Sequence, residues 1–329
     1  MAERLIELTA RDFETDQEVR WCPGCGDYAI LKSVRKVLAE VGTDPDSVVF
    51  VSGIGCAARF PYYVETYGIH SIHGRAPSLA TGIKLANPDL DVWVVGGDGD
   101  FLAIGGNHVL HALRRNVDIN LLLFNNAIYG LTKGQFSPAS LPGTRSPSTP
   151  GGTFDMPVNA TALALAAGGG FVARTADMLQ DHLPEVVLRA HAHPGAALVE
   201  ILQNCIVYND NAFGDLARKK NRAEATVIVR HGEPMVFGAA ADKGLVYEAV
   251  RGTFRVTSEL SEASLHDETN PALAAALARV DDPALPKPLG VFYCAERTDY
   301  TTALEEHVPY RPLTREAFAE VLYEGSWRA

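Results

Sequence analysis

Two short polar motifs stand at a spacing that suits metal-bound diphosphate chemistry: Gly97-Asp98-Gly99-Asp100 and Asn125-Asn126. The first closes an apolar run, DVWVVG (91–96), and the second closes another, INLLLF (119–124). Between them FLAIGGNHVLHALRRN (101–116) carries apolar residues at three- and four-residue spacing, which predicts a helix. A strand–helix–strand unit of this kind brings two strand C-termini to one crevice, the edge where open α/β sheets take ligands. The glycines let an anion approach the backbone amides closely. A carboxylate at Asp98 and an amide oxygen at Asn126 make a hard-oxygen set suited to magnesium, which keeps phosphate and water as its other ligands.

The cysteines are the second chemical feature. Cys22 and Cys25 form the knuckle WCPGCG, Cys56 ends the glycine-rich turn GIGC, and Cys205 follows the apolar run AALVEILQ (196–203). Thiolates at such loop positions hold zinc or an iron–sulfur cluster. The spacing is not that of a zinc ribbon, so the residues alone leave the metal open. Cys294, within GVFYCAE, is expected to be a buried bystander.

The surrounding chain supplies a frame for these residues. Helices are predicted over 28–41, 76–87, 156–168 and 177–192, and strands over 47–53, 171–175 and 196–203. Alternating strand and helix predicts a doubly wound, mainly parallel α/β sheet. Residues 129–152 form a Gly/Pro/Ser-rich stretch too long for structural filler, and loops beside a strand-end crevice are commonly functional. Residues 1–20 read as a polar arm, 21–205 as the binding domain, and 206–329 as a less regular extension packing on the core or on a partner. Apolar content of 47% with 21% charged residues is ordinary globular composition. A net charge of −11 argues against nucleic acid or an anionic membrane as partner. No apolar run reaches the ~18 residues of a membrane span, and the acidic N-terminal stretch lacks a signal core. A cytoplasmic, reducing location is the expectation.

The GDG…NN pattern resembles the diphosphate motif of thiamine diphosphate (TPP) enzymes. That resemblance makes Asp98, Asn126 and the carbonyl of Ile128 the magnesium ligands. It extends further: WCPGCGDY, GIGCAAR, HSIHGRAPSLATGIKLANP, GGDGDFLAIGGNHVLHALRRN and NNAIYGLTKGQFSP together resemble the β subunit of 2-oxoacid:ferredoxin oxidoreductases, in order and spacing, from about residue 15 to 210. The resemblance implies a fold of the TPP-binding type and a 4Fe-4S cluster on Cys22, Cys25, Cys56 and Cys205. It places TPP against Gly55, Cys56, His73, Gly97, Asp98, Gly99, Asp100, Asn126, Tyr129, Gly130, Leu131 and Thr132. Many members carry Pro before the fourth cysteine; Asn204 stands here, and QNCIVYND is similar to members acting on 2-oxoglutarate.

The implied reaction is CoA-acylating oxidative decarboxylation of a 2-oxoacid, of the EC 1.2.7 class, with electrons leaving through the cluster to ferredoxin. 2-Oxoglutarate is the favoured substrate and pyruvate the next. A non-oxidative TPP-dependent decarboxylase or carboligase half-subunit is the alternative, and it would leave four placed cysteines without a role. His73 is expected at the cofactor, where an imidazole can donate hydrogen bonds or move protons. Arg59 is expected to pair with a substrate carboxylate, and Lys133 to touch substrate. The RKKNR cluster (218–222) reads as a solvated basic face. Only the diphosphate half of a TPP site is present, so the resemblance implies a separate α subunit carrying the pyrimidine-binding domain and its glutamate, in an (αβ)2 assembly.

Overall fold

The computed structural model describes residues 8–308 and 314–324. Residues 1–7 of the expected N-terminal arm, and 309–313 and 325–329 of the expected extension, lie outside the described residues. The rest of the arm is anchored, with Phe13 fully buried and Glu14 bridging to Val64.

From the N-terminus the elements are α1 (Asp27–Val41), β1 (Val48–Ser52), β2 (Tyr67–His70), α2 (Ala76–Ala86), β3 (Asp91–Gly97), α3 (Gly106–Arg115), β4 (Asn120–Asn125), α4 (Ala160–Ala166), β5 (Phe171–Ala176), α5 (His182–His191) and β6 (Ala197–Leu202). β1 and β3 are rich in Val and β4 in Leu, and β1, β4, β5 and β6 are buried along their whole length, as strands covered on both faces must be, whereas β2, at the sheet edge, is exposed. Successive side chains alternate between two cores. Val48, Phe50, Trp93, Val95, Leu122 and Phe124 face α1 and α5, whereas Val49, Val51, Val92, Val94, Leu121 and Leu123 face α2, α3 and α4. The result is the doubly wound sheet that the sequence predicts.

The chain after Cys205 continues through α6 (Arg222–Ala225), β7 (Thr226–Val229), β8 (Val236–Phe237), β9 (Lys243–Glu248), β10 (Thr253–Thr257), α7 (Pro271–Ala278), β11 (Lys287–Cys294), α8 (Tyr300–His307) and α9 (Arg315–Tyr323). It packs on the core by joining it. The main sheet runs β2-β1-β3-β4-β6-β5-β11-β7, with β11 antiparallel to β5 and every other pairing parallel. β8, β9 and β10 form a separate antiparallel sheet. Phe237, Leu245 and Phe254 from that sheet share a core with Leu273 and Leu277 of α7 and Phe292 of β11.

One predicted helix is interrupted. The 101–116 pattern begins as a π-helical turn over Asp100–Ile104, breaks at Ala103 (φ −89°, ψ −109°), and resumes as α3. The cause is a backbone crossing. A Cβ on Gly74 would lie 2.5 Å from the Gly105 nitrogen, so only glycine admits this contact, and a regular helix would not follow it. Similarly, α5 begins at His182 rather than at 177, with Pro184 in its first turn.

Because β1, β2, β3, β4, β5 and β6 are mutually parallel, the loops that follow them gather at one edge of the sheet. These loops carry Ile54–Cys56, His73, Asp98–Gly99, Asn126–Lys133, Asp177 and Gln203–Cys205.

Candidate active site

At that edge a cavity of about 310 Å³ is lined by every residue expected to meet the TPP, from Gly55, Cys56 and His73 through Gly97–Asp100 to Asn126 and Tyr129–Thr132. Asp98 is 1% exposed. Its Oδ1 accepts the Asn126 N–H at 3.4 Å, and Oδ2 accepts the Ser137 hydroxyl. Burial drives its pKa up to about 7, against the opposing pull of those two donors. A divalent cation beside such a carboxyl reverses this by favouring the charged form.

Asn126 is held from both sides. Its Oδ1 accepts the Ile128 N–H at 3.1 Å, and its Nδ2 donates to Gln203 Oε1 at 2.8 Å. One residue earlier, Asn125 Nδ2 donates to Glu200 Oε1 at 2.7 Å, and Arg174 Nε donates to Glu200 Oε2 at 2.6 Å, so a buried ion pair fixes the end of β4. Ala127 adopts φ 55°, turning the chain so that Ile128 comes back to the cavity wall.

Gly99 is required by close approach, since a Cβ there would meet the Tyr129 ring at 2.2 Å. The Tyr129 hydroxyl donates to the Gly99 carbonyl at 3.0 Å and holds the ring in place. The long loop closes over this floor through its serines. Ser137 reaches Asp98, and Ser140 Oγ donates to the Ala127 carbonyl at 2.6 Å.

Asp100 binds protein with one oxygen. Its Oδ1 accepts the N–H groups of Ile54 (3.0 Å) and Gly74 (2.8 Å) and lies 2.6 Å from His73 Nδ1. With Nδ1 engaged, His73 presents Nε2 as its free nitrogen.

A second cavity, of about 160 Å³, is lined by Cys22, Cys25, Cys56 and Cys205. It shares Cys56, Asn126, Gly130, Leu131 and Gln203 with the first cavity. Gly130 sits between two of the thiols: a Cβ there would lie 3.6 Å from Cys205 Sγ and 3.7 Å from Cys56 Sγ. Burial, Asp27 and the neighbouring thiols push the Cys56 pKa up to about 12 and raise that of Cys25 further. Crowded thiols resist ionisation until a cationic metal core offsets their charge. Among the described residues no group of three or more His, Cys, Asp or Glu side chains is gathered as a metal-ion site, and the thiols instead ring a cavity. Cys294 is partly exposed and lies 3.9 Å from His193 Nδ1, away from both cavities.

Arg59 lies on the cysteine cavity and not on the first one. Its Nε donates to the Tyr63 hydroxyl at 2.9 Å, and its guanidinium stands 5.4 Å from the Tyr62 ring centroid. Lys133 is exposed, with φ 75°, and lines neither cavity. Asp27, Gln203 and Ser137 are site residues that sequence reasoning missed. Only Asp27 had a signal, since it directly follows WCPGCG.

A mainly parallel α/β sheet with a glycine-lined cavity at its strand ends is the frame of a TPP-binding domain, and residues 53–201 match the family model "Thiamine pyrophosphate enzyme, C-terminal TPP binding domain". The chain is 52% identical over 303 residues to the 2-oxoglutarate oxidoreductase subunit KorB of Mycobacterium tuberculosis, covering 91% of this chain and 81% of that one. It is 48% identical to subunit beta of 2-oxoacid:ferredoxin oxidoreductase 1 of Aeropyrum pernix, over 60% of this chain and 62% of that one. Among solved structures it is similar to the 2-oxoglutarate:ferredoxin oxidoreductase of Magnetococcus marinus, with a TM-score of 0.78 and 29% identity over 98% of both chains; that structure has 2-oxoglutarate, coenzyme A and succinyl-CoA bound. The chain belongs to the β subunits of the 2-oxoacid:ferredoxin oxidoreductases. Among the described residues no helix is long and apolar enough to cross a membrane.

Proposed function

We propose that this chain is the β subunit of a 2-oxoglutarate:ferredoxin oxidoreductase, active with a partner α subunit in an (αβ)2 assembly in the cytoplasm. The observation that carries this reading is the shared wall: a diphosphate cavity and a four-thiol cavity meet at Cys56, Asn126, Gly130, Leu131 and Gln203. A non-oxidative TPP enzyme needs only the first.

Asp98, Asn126 and the Ile128 carbonyl form the oxygen set for magnesium, and Cys22, Cys25, Cys56 and Cys205 the thiolate set for a 4Fe-4S cluster. Bound there, TPP and the cluster supply decarboxylation and one-electron transfer. The chain's own residues do the positioning. Gly97 and Gly99 leave room for the diphosphate, and Tyr129–Thr132 wall it in. His73, oriented through Nδ1, holds or moves a proton at Nε2. Arg59, steadied by Tyr63, binds the acid's carboxylate on the cluster side, while Lys133 meets substrate from the solvent side.

The test is CoA-dependent reduction of ferredoxin by 2-oxoglutarate, using anaerobically prepared protein co-produced with its α subunit. The expected result is turnover by the complex, none by this chain alone, and a lower kcat/KM for pyruvate. Turnover by the isolated chain, or reduction that needs no CoA, would overturn the reading.

A further inference from the structure

Gln203 is 1% exposed, lines both cavities, and ties itself to the end of β4 by donating its backbone N–H to the Asn125 carbonyl at 2.8 Å. Its side-chain amide is fully committed. Oε1 accepts from Asn126 Nδ2 at 2.8 Å. Nε2 donates to the Asn204 carbonyl at 2.6 Å and to Cys25 Sγ at 3.4 Å, so each of its N–H groups has an acceptor. The neighbours settle which way round this amide lies. The Ile128 N–H holds Asn126 Oδ1, so Asn126 presents Nδ2, and it is the oxygen of Gln203 that can meet it. Turned over, Gln203 would set its oxygen against the Asn204 carbonyl and its nitrogen against another nitrogen. The stem is confined as well, since a Cβ on Gly26 would lie 3.1 Å from Gln203 Cγ.

One neutral side chain therefore touches a magnesium-set residue with its oxygen and a cluster-set residue with its nitrogen. Reduction adds negative charge to a cluster, and an N–H aimed at a ligand sulfur favours that form. A residue that grips the far side of a metal ligand fixes the ligand's orientation and strengthens metal binding. We infer that Gln203 is a positioning residue that joins the two cofactor sites. Its oxygen aims the Asn126 amide at magnesium, and its nitrogen raises the reduction potential of the cluster through Cys25. This rests on the reading of the two cavities as TPP and 4Fe-4S sites, and it adds a direct link between them.

The test compares the anaerobically prepared αβ complex with its Gln203→Met variant, which keeps the side-chain length and adds no charge. The midpoint potential is read by EPR-monitored redox titration, and magnesium affinity in the presence of TPP by calorimetry, so turnover is not needed. The variant is expected to make cluster reduction about tenfold less favourable, ~59 mV lower for one electron. It is also expected to bind magnesium about tenfold more weakly. Water admitted by a merely loosened fold would donate to the reduced cluster and move the potential the other way. An unchanged or raised potential overturns the inference, and so does an unchanged magnesium affinity. Where the variant fails to fold, the wild type decides. Gln203 is the one glutamine among the described residues that lines the cysteine cavity. With isotope-labelled nitrogen at glutamine side-chain amides alone, pulsed EPR of the reduced wild-type complex should show a coupled label, and its absence overturns the inference. A wild-type complex without iron would instead remove the cluster reading, and the inference with it.

Discussion

His73 Nδ1 lies 2.6 Å from Asp100 Oδ1, and the same oxygen takes the backbone N–H groups of Ile54 and Gly74. One carboxylate oxygen therefore ties the loops after β1 and β2 to the start of the π-helical turn, and it fixes which imidazole nitrogen is free. A histidine oriented in this way has its tautomer decided by its neighbour.

Asp100→Asn tests that arrangement. An amide oxygen can still accept from the two backbone groups, but it is a weaker partner for His73 and the amide nitrogen introduces a donor. The expected outcome is a fall in kcat of about 10–10²-fold for the αβ complex, with TPP affinity nearly unchanged. Steady-state kinetics and calorimetry separate the two. A large loss of TPP binding with kcat intact would show that Asp100 acts only as scaffolding for the cavity.

The four thiols of the second cavity should behave as a set and Cys294 should not. Replacing Cys22, Cys25, Cys56 or Cys205 singly by Ser is expected to strip most iron and acid-labile sulfide from anaerobically prepared protein. Cys294→Ser should keep about four of each per chain, with the brown charge-transfer band intact. Zinc in the wild-type protein, or iron unchanged in any of the four variants, would refute the assignment.

Much of this site was readable from the chain because its chemistry is local. Gly97-Asp98-Gly99 and Asn125-Asn126 each end an apolar run, so strand ends and candidate ligands are specified by the same few residues. The cysteines were readable as a group from their loop positions, but which metal they would hold came only through resemblance, since 180 residues of chain separate Cys25 from Cys205 and no local spacing defines the site. Gln203 and Ser137 were not readable. Their roles depend on which loops the parallel sheet brings together, and neither residue type announces chemistry. Arg59 was expected to meet a substrate carboxylate; its place on the wall of the cysteine cavity depends on the short helical turn over 57–63 and was not readable from its residue type. β7 was not singled out within the irregular stretch after 205, and β11 was noticed only through the apolar, strand-like run around Cys294. The pairing of β11 with β5, and of β7 with β11, is a tertiary matter, and propensity does not decide it.

His182 sets an acid limit on the fold. Its Nδ1 lies 2.9 Å from Thr175 Oγ1, and its pKa is pushed down to about 4, chiefly by burial; Glu185 opposes the shift and Arg230 adds to it. The folded pKa lies below the ordinary 6.5, so between about pH 4 and 6.5 the unfolded chain binds the proton more readily. Stability is present above that window and falls as pH drops through it, by on the order of 2–3 kcal/mol. His182→Gln should flatten this limb in denaturant melts at pH 4.5 and 7 (roughly the two sides of the transition). An unchanged slope in the variant would assign the acid sensitivity to other groups.

The crossing of Gly74 over Gly105 limits how this site can open. With one backbone resting directly on another, the segment bearing His73 has no clearance to swing as a flap, and it travels with the π-helical turn or not at all. Traffic into the cavity is then governed from outside the sheet edge, by the serine-pinned loop and by whatever surface seats against it. The floor beneath, tied at that crossing, gives the cavity one wall whose two segments share a backbone contact.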